Sequence, residues 1–478
     1  MQSHPRAFPI VAVLATIGSL FAHAALATDT ATASNEGLPA ATRARIDAAA
    51  AEVLQVTGVP GTSIAVVRDG RTVYAKAYGF AQLEPQRPAD PAMRYEIGSI
   101  SKQFLVAALL LLQQEGKLSL DDTVAKYFPN LTRADEVTIR QLLTHTSGYQ
   151  DCCPQDYAIP DWLQPITSTE YMERWGRKPL DYEPGTRYQY SNTGYAIAGR
   201  IVEKASGQPL FEFMQQRIFT PLQMTSVYNA DALPAGPDDP TGYRRLALGP
   251  PRVSPNTGAG WSFGAGGLAM TASDLARWDI SFMNRNLLSE ASYRAMETDT
   301  LLANGVATGY GLGVDVKFEN QRHKVSHGGE EMGFTAFNSI YPDDRTAIVV
   351  LVNQDASPAV DLLSEKISKI LFEQAQTRDE AKTAQARAIF MGLQQGKIDR
   401  SLFTSNANFY FSDEALGDFK ASLGPLGAPE SFEQTRSLLR GGMTGRRYEA
   451  KFGKQTLRVS TYEMPDGKIE QFQVAAKD

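Results

Sequence analysis

The segment Tyr95-Glu96-Ile97-Gly98-Ser99-Ile100-Ser101-Lys102 leads directly into an apolar run from Phe104 to Leu112. A helix that is apolar on all sides is a buried helix, and this run is shorter than the roughly 20 residues that a membrane span needs. Gly116 follows the run and supplies a helix stop. The segment therefore predicts a helix driven through the protein interior, with Ser99 at its first turn.

Ser99 and Lys102 stand three residues apart, a spacing that places two side chains on one face of a helix. Free backbone N–H groups and the positive end of the helix dipole favour negative charge at this position. A serine hydroxyl beside a buried amine can become nucleophilic without the help of histidine. Because this spacing arises by chance about once or twice in a chain of this length, the assignment needs support from other motifs.

The composition excludes several classes of function. The chain has 478 residues, a formal net charge of −6 and no basic run, which argues against nucleic acid as a partner. It has two cysteines, Cys152 and Cys153, and no C-x-x-C pair or H-E-x-x-H motif, so we expect no metal and no organic cofactor. Adjacent cysteines can pair only within a small ring. We interpret both as loop residues, with a vicinal disulfide as the alternative.

The N-terminus has the pattern of a secretory signal peptide. Arg6 precedes a mostly apolar stretch from Ile10 to Leu20, and Ala22-His23-Ala24 or Ala25-Leu26-Ala27 would suit cleavage. We therefore expect residues 1–27 to be removed and the mature chain to be secreted or periplasmic, without a transmembrane domain.

Strand-like segments lie at both ends of the region that contains the Ser-x-x-Lys motif. Thr62–Arg68 and Thr72–Tyr78 are separated by Asp69-Gly70, a strong hairpin signal, and Thr335–Tyr341 and Thr346–Asn353 come much later. Helical segments and long loops lie between these ends. The order predicts an α+β fold in which an antiparallel sheet is flanked by helices and carries an inserted, mostly helical lobe.

Helix caps and the C-terminal region give further predictions. Ser273 is a plausible cap for a helix at Ser273–Phe282. Beyond residue 387 the chain has helical segments followed by a four-strand pattern with glycine-rich turns, including Gly441-Gly442. This predicts a small α+β unit of its own.

Two further motifs follow the first in the order known from one protein family. Tyr190-Ser191-Asn192 comes after a Pro-Gly turn, and His327-Gly328-Gly329 begins a predicted strand. With Ser99-Ile100-Ser101-Lys102 they make the stretch Val59–Asn353 resemble the serine β-lactamase and penicillin-binding protein superfamily, specifically its class C branch. That branch includes DD-peptidases, D-aminopeptidases and carboxylesterases. The resemblance implies a β-lactamase/transpeptidase-like fold.

The sequence pattern and the resemblance together predict domain boundaries. The signal peptide would occupy residues 1–27 and the β-lactamase-like serine hydrolase domain residues 38–375. A linker would follow at 376–386, and the C-terminal α+β accessory domain would occupy 387–478.

The resemblance assigns roles to particular residues. Ser99 would attack the substrate carbonyl, while either Lys102 or Tyr190 would serve as the base. Asn192 would orient Lys102 and the acyl side chain of the substrate. The backbone N–H groups of Ser99 and Glu330 would form an oxyanion hole. The remaining substrate-binding positions would be His327, Gly328 and Gly329, whose glycines let the strand approach the substrate.

His327 is the informative departure from the family pattern, because the β-lactamases of this branch carry lysine at this position. Histidine, with a reference pKa of about 6.5, is mostly neutral at pH 7. Glu330 and Glu331 add negative charge nearby, which favours an amine-bearing substrate slightly over a carboxylate-bearing one.

These features predict an exported serine hydrolase that forms an acyl-enzyme on D-amino-acid-containing peptides or amides. The substrate would be a small peptide, amide or ester, with the peptidoglycan stem as one candidate. The alternatives are a carboxylesterase, a class C-type β-lactamase, or a penicillin- or peptidoglycan-binding protein without turnover. Oligomeric state and the role of the C-terminal unit stay open.

Overall fold

The computed structural model describes residues 37–155, 159–319, 322–372 and 380–477. The predicted signal peptide, 1–27, lies outside these ranges, as do residues 376–379 of the predicted linker. The rest of that linker belongs to a helix that begins at Glu380. In the part of the chain so described, no helix combines the length and apolar character needed to cross a membrane.

The secondary structure is named here in chain order. The strands are β1 (Gly61–Arg68), β2 (Arg71–Gln82), β3 (Arg87–Pro88), β4 (Tyr95–Glu96), β5 (Tyr228–Asn229), β6 (Tyr243–Arg244), β7 (Arg252–Val253), β8 (Leu268–Met270), β9 (Asp315–Glu319), β10 (Arg322–Glu331), β11 (Phe334–Tyr341), β12 (Thr346–Val352), β13 (Ser431–Arg440), β14 (Met443–Phe452), β15 (Gln455–Glu463) and β16 (Ile469–Ala476). The helices are α1 (Ala40–Thr57), α2 (Ser101–Gln114), α3 (Ile139–Leu143), α4 (Ser168–Trp175), α5 (Asn192–Ser206), α6 (Leu210–Met214), α7 (Ala272–Asn284), α8 (Glu290–Glu297), α9 (Ala359–Phe372), α10 (Glu380–Leu393), α11 (Ser405–Tyr410) and α12 (Asp413–Leu423).

The main sheet joins the two ends of the predicted catalytic region. Its strand order is β3-β2-β1-β12-β11-β10-β9, and neighbouring strands are antiparallel. Both faces of the central strands are covered. Val349 and Leu351 belong to the core on the α2 side, whereas Ile348 and Val350 pack into the cluster on the side of α1 and α9. Burial on both faces explains why these strands are apolar without alternation. The predicted antiparallel sheet with flanking helices is confirmed.

Helix α2 forms the centre of the larger core. Every residue from Ser101 to Leu112 is buried, as the all-apolar run requires. Phe104 packs against Trp278 and Phe219, with ring centroids 4.8 and 5.5 Å apart. Ser99 itself lies just before this helix, in a 3₁₀ turn at Gly98–Ile100, rather than in its first α-helical turn.

The C-terminal region has a sheet and a core of its own. Strands β13 to β16 form an antiparallel sheet in sequence order, covered by a cluster that includes Phe390, Phe432 and Phe472. The four predicted strands are therefore present. The exact domain boundaries stay predictions.

One predicted helix cap is wrong. Helix α7 starts at Ala272, and its cap is Thr271, whose hydroxyl accepts a hydrogen bond from the N–H of Asp274. Thr271 has the extended backbone of a capping residue, with ψ at 156°, whereas Ser273 already lies within the helix.

Candidate active site

Ser99 is held at the floor of a cleft of about 850 Å³. The 3₁₀ turn that carries it runs directly into α2, so the buried helix fixes the position of the serine. Gly98 has a φ of +50°, a conformation that favours glycine. A Cβ at Gly98 would lie 2.5 Å from the backbone N of Glu330 on β10. The turn and the strand therefore meet at a distance that only glycine permits.

Lys102 makes three polar contacts within the core. Its Nζ lies 2.8 Å from Ser99 Oγ, 2.8 Å from Asn192 Oδ1 and 2.9 Å from the carbonyl oxygen of Ala265. The side chain is fully buried, and burial lowers the pKa of Lys102 to about 7, against weaker attraction from Asp151 and Glu331. An amide oxygen and a carbonyl oxygen can only accept hydrogen bonds. A neutral amine that donates to both keeps its lone pair for the hydroxyl of Ser99.

Tyr190 is the third predicted catalytic residue, and its ring is stacked on His145. The two ring centroids are 4.1 Å apart, and Lys102 Nζ lies 4.9 Å from the centre of the tyrosine ring. The pKa of Tyr190 is raised well above its ordinary value, chiefly because burial disfavours the phenolate, while a hydrogen bond with Ser99 acts in the opposite direction. The structure thus brings Ser99, Lys102 and Tyr190 together.

His145 fixes the loop that carries Tyr190. Its Nδ1 accepts a hydrogen bond of 3.0 Å from the backbone N–H of Ser191. The pKa of His145 lies well below its usual value because the ring is buried. A neutral ring that accepts from the loop backbone holds this loop in place.

The start of α5 supplies Asn192. While the side chain of Asn192 binds Lys102, its backbone N–H donates to Asp151 Oδ1 at 2.8 Å. Asp151 is thus an additional positioning residue, which the sequence alone did not single out. Next to it, Cys152 and Cys153 form a vicinal disulfide. The interpretation of the two cysteines as unpaired loop residues is therefore wrong.

Strand β10 forms the opposite wall of the cleft. A Cβ on Gly329 would overlap the carbonyl oxygen of Ile97 and would lie 3.3 Å from the backbone N of Ser99. At Gly328, by contrast, a Cβ would meet only Phe337, at 3.7 Å. The close approach of β10 therefore depends on Gly329. It brings β10 against the turn that carries Ser99, and the backbone N–H groups of Ser99 and Glu330 are the pair predicted to form the oxyanion hole.

His327 is buried and uncharged. Its Nε2 lies 2.9 Å from the hydroxyl of Tyr310, and its Nδ1 lies 2.5 Å from the carbonyl oxygen of Gly328. Burial, with a smaller contribution from the charge of Lys102, lowers the pKa of His327 to about 3. Tyr310, 17 residues away in the sequence, is a partner that the motif alone does not reveal.

The two glutamates after the glycines differ in their surroundings. Glu330 is exposed, and its carboxylate accepts from the backbone N–H of Ala356 at 2.8 Å. Glu331 turns inward and accepts from the hydroxyl of Ser262 at 2.6 Å. Burial raises the pKa of Glu331 to about 7. Of this acidic pair, only Glu330 faces solvent.

Ser262 lies in a second serine motif, Gly260-Trp261-Ser262-Phe263-Gly264, which has the G-x-S-x-G spacing of a nucleophile elbow. That motif requires a sharp turn from a strand into a helix. Ser262 instead lies among turns before β8, and its hydroxyl donates to Glu331. The surroundings of Ser262 therefore do not match those of an elbow nucleophile.

Comparison with known proteins identifies the family. Residues 46–370 match the family described as Beta-lactamase. The chain belongs to this beta-lactamase family. The described residues contain no cluster of His, Cys, Asp and Glu side chains that could hold a metal ion.

Relatives in this beta-lactamase family include penicillin-binding proteins and amidohydrolases. Penicillin-binding protein 4* of Bacillus subtilis is 28% identical over 403 residues, covering 79% of this chain and 88% of the relative. The structure of a D-stereospecific amidohydrolase from Streptomyces sp. aligns with a TM-score of 0.59 and 25% identity, over 68% of this chain and 97% of that one. The octameric penicillin-binding protein homologue from Pyrococcus abyssi aligns with a TM-score of 0.60 and 22% identity, over 91% of this chain and 100% of that one. The fold is therefore beta-lactamase-like, and the chain is a beta-lactamase-family serine hydrolase.

Proposed function

We propose that this protein hydrolyses amides or peptides of D-amino acids through an acyl-enzyme on Ser99. The observation that carries the proposal is the position of Lys102, whose buried Nζ lies 2.8 Å from Ser99 Oγ while Asn192 and Ala265 occupy its donor positions. A base works best when its pKa lies near the operating pH. The pKa of Lys102, lowered to about 7 by burial, meets that condition.

The two candidate bases divide the proton transfers between them. Burial makes the phenolate of Tyr190 unfavourable, so Tyr190 starts as a neutral hydroxyl that can donate a proton. Neutral Lys102 takes the proton of Ser99 as Oγ attacks the substrate carbonyl. Tyr190 then donates its proton to the leaving nitrogen and recovers one from Lys102. Water opens the acyl-enzyme by the reverse sequence, and the N–H groups of Ser99 and Glu330 stabilise the oxyanion in both halves.

The leaving-group side of the cleft favours a neutral amide over a β-lactam. Tyr190 and His327 lie close together, with ring centroids 6.3 Å apart, so the leaving group faces both of them. Because the pKa of His327 is about 3, this histidine supplies no positive charge for the carboxylate of a β-lactam. The relatedness to a D-stereospecific amidohydrolase supports the choice of D-amino-acid amides.

A carboxylesterase is the second candidate function. Its support is the same neutral His327, since a short ester places no demand for charge on the leaving-group side. We further propose that the chain acts outside the cytoplasm, on the basis of the signal-like pattern at residues 1–27.

A substrate panel tests the proposal. The purified protein is assayed with D-alanine p-nitroanilide, its L-enantiomer, p-nitrophenyl butyrate and nitrocefin, with Ser99→Ala as the control. We expect turnover of the D-anilide at least about tenfold faster than of the L-form, and loss of both in Ser99→Ala. Ester turnover without anilide turnover would favour the carboxylesterase, and rapid nitrocefin turnover would favour the β-lactamase. A stable nitrocefin adduct without turnover of any substrate would indicate a binding protein.

A further inference from the structure

A short hairpin at the rim of the cleft holds one arginine in a fixed place. In β6, the backbone N–H of Tyr243 donates to the carbonyl oxygens of Gly333 and Asn353, at 3.2 and 3.1 Å, and its own carbonyl accepts from Asp355 at 2.9 Å. The next residue, Arg244, lines the same cleft as Ser99. The main chain of Arg244 is therefore anchored to the turn between β10 and β11.

Arg244 differs from its neighbour Arg245, which also lines the cleft. The guanidinium of Arg245 donates to the carbonyl oxygens of Gly249, Thr57 and Leu248, at 2.6, 2.7 and 3.2 Å. The Nε of Arg244 is buried and has no hydrogen-bond partner among the described residues. A buried donor that lacks an acceptor is costly and calls for an explanation. A ligand in the cleft would supply that acceptor.

The acidic groups that share the cleft are bonded to protein donors. Asp355, whose charge acts on Arg244, accepts from the N–H of Gly333 at 3.0 Å and the hydroxyl of Ser254 at 3.4 Å. Glu330 accepts from Ala356 N–H and Glu331 from Ser262 Oγ, at 2.8 and 2.6 Å. The fourth, Asp151, accepts from Asn192 N–H at 2.8 Å. Each of these carboxylates has a protein donor, whereas the Nε of Arg244 has no acceptor among the described residues.

The direction of β10 shows which part of a substrate would reach Arg244. Tyr190 lines the cleft and lies near His327 on β10, with ring centroids 6.3 Å apart. The backbone N of Glu330, further along β10, meets the turn that carries Ser99, where the scissile carbonyl would bind. The Gly333 turn, to which β6 is bonded, follows β10 in the direction that leads from His327 past Glu330. Strand β10 ends at Glu331, so two residues, Glu331 and Met332, separate Glu330 from the Gly333 turn. With the leaving group facing Tyr190, the acyl part points toward Arg244.

We propose that Arg244 binds a carboxylate carried by the acyl part of the substrate, several bonds from the scissile carbonyl. The substrate class would be amides or esters of dicarboxylic acyl groups, including acidic peptides. A guanidinium can hold such a carboxylate through two parallel hydrogen bonds. This inference rests on the proposed acyl-enzyme function of Ser99.

Two esters that differ in one charge test the inference. The mono-p-nitrophenyl ester of adipic acid carries a distal carboxylate, and p-nitrophenyl butyrate does not. We expect Arg244→Gln to lower kcat/KM for the adipate ester by about 10- to 100-fold, mainly through KM, because a hydrogen bond to a charged group is lost. The butyrate ester should stay within about twofold. Arg252→Gln is the matched control, since Arg252 pairs with Arg244 across the hairpin but is exposed. It should leave both esters unchanged.

An equal fall for both esters would overturn the inference, because Arg244 would then support the cleft or balance Asp355. An unchanged adipate rate would overturn it as well. Direct binding separates this inference from the proposed function. In the Ser99→Ala background, monomethyl adipate should bind at least about tenfold more weakly after Arg244→Gln. If the wild type hydrolysed neither these esters nor the D-anilide, the acyl-enzyme proposal would fail, and this binding difference would still decide the role of Arg244.

Discussion

Lys102 on the helix wall of the cleft and His327 on the strand wall are both buried bases, yet burial leaves them in different chemical states. The pKa of Lys102 falls to about 7, so the amine can exchange a proton near neutral pH. The pKa of His327 falls to about 3, so the imidazole stays neutral throughout the working range. The reference pKa values of lysine and histidine differ by about four units. A comparable burial therefore brings the pKa of Lys102 close to neutral pH and that of His327 far below it. The same desolvation thus produces a proton carrier on one wall and a permanently neutral group on the other.

Removal of the Lys102 amine should have the largest effect on activity and tests the comparison of the two walls most strongly. Lys102→Met should lower kcat for p-nitrophenyl butyrate by about 10²–10⁴-fold, the range of general acid–base catalysis. In the wild type, kcat/KM should rise with pH through about pH 7 and then level off, because the neutral amine is the active form. The variant should lose this rise.

Glu331→Gln is the control for that pH profile, because the pKa of Glu331 is also raised to about 7. The rise should persist in Glu331→Gln if Lys102 is the titrating group. A fall of only a few-fold in Lys102→Met, or a flat profile in Glu331→Gln, would assign the base to another residue.

A positive charge introduced at position 327, on the strand wall of the cleft, should change activity by a smaller factor. His327→Lys should increase acylation by nitrocefin by about tenfold, since a charged hydrogen-bond partner for its carboxylate contributes about 1.5–3 kcal/mol, part of which is spent on burying the new cation. Neutral butyrate ester turnover should change by less. His327→Asn, which adds no charge, should not improve nitrocefin acylation. An equal loss with both substrates in His327→Lys would mean that the contact with Tyr310 positions the site, and that charge on this wall does not select substrates.

Local sequence was sufficient to predict that Ser99 and Lys102 lie together at the start of a buried helix. The apolar run after Lys102 predicted the buried helix α2. The spacing of Ser99 and Lys102 predicted their contact because only three residues separate them, across the junction of the 3₁₀ turn and α2. Tyr190, Asn192 and His327 required the family resemblance, since they come from separate elements. The catalytic roles, domain boundaries and export stay predictions.

Contacts made through tertiary packing could not be predicted from the sequence. The backbone carbonyl of Ala265, which is 163 residues from Lys102 in the sequence, accepts a hydrogen bond from Lys102. Because every residue has a backbone carbonyl, the residue type at position 265 does not reveal this contact. Asp151 is one of several aspartates in its part of the sequence, and the sequence does not show that it contacts Asn192. Arg244 and Arg245 are adjacent arginines, and only the structure shows that Arg245 donates to carbonyl oxygens while the Nε of Arg244 has no acceptor among the described residues.

Peptide mapping of the trapped acyl-enzyme tests the central claim most directly. The protein is mixed with p-nitrophenyl butyrate, quenched in acid, digested with trypsin and examined by tandem mass spectrometry. The peptide Tyr95–Lys102 contains both Ser99 and Ser101, and its fragment ions separate them. Ser101 is buried and accepts from the N–H of Leu268, so it serves as an internal control. We predict one butyryl group, on Ser99. An adduct on Ser101, on Ser262 or on any other residue, or turnover without an adduct on Ser99, would contradict the account.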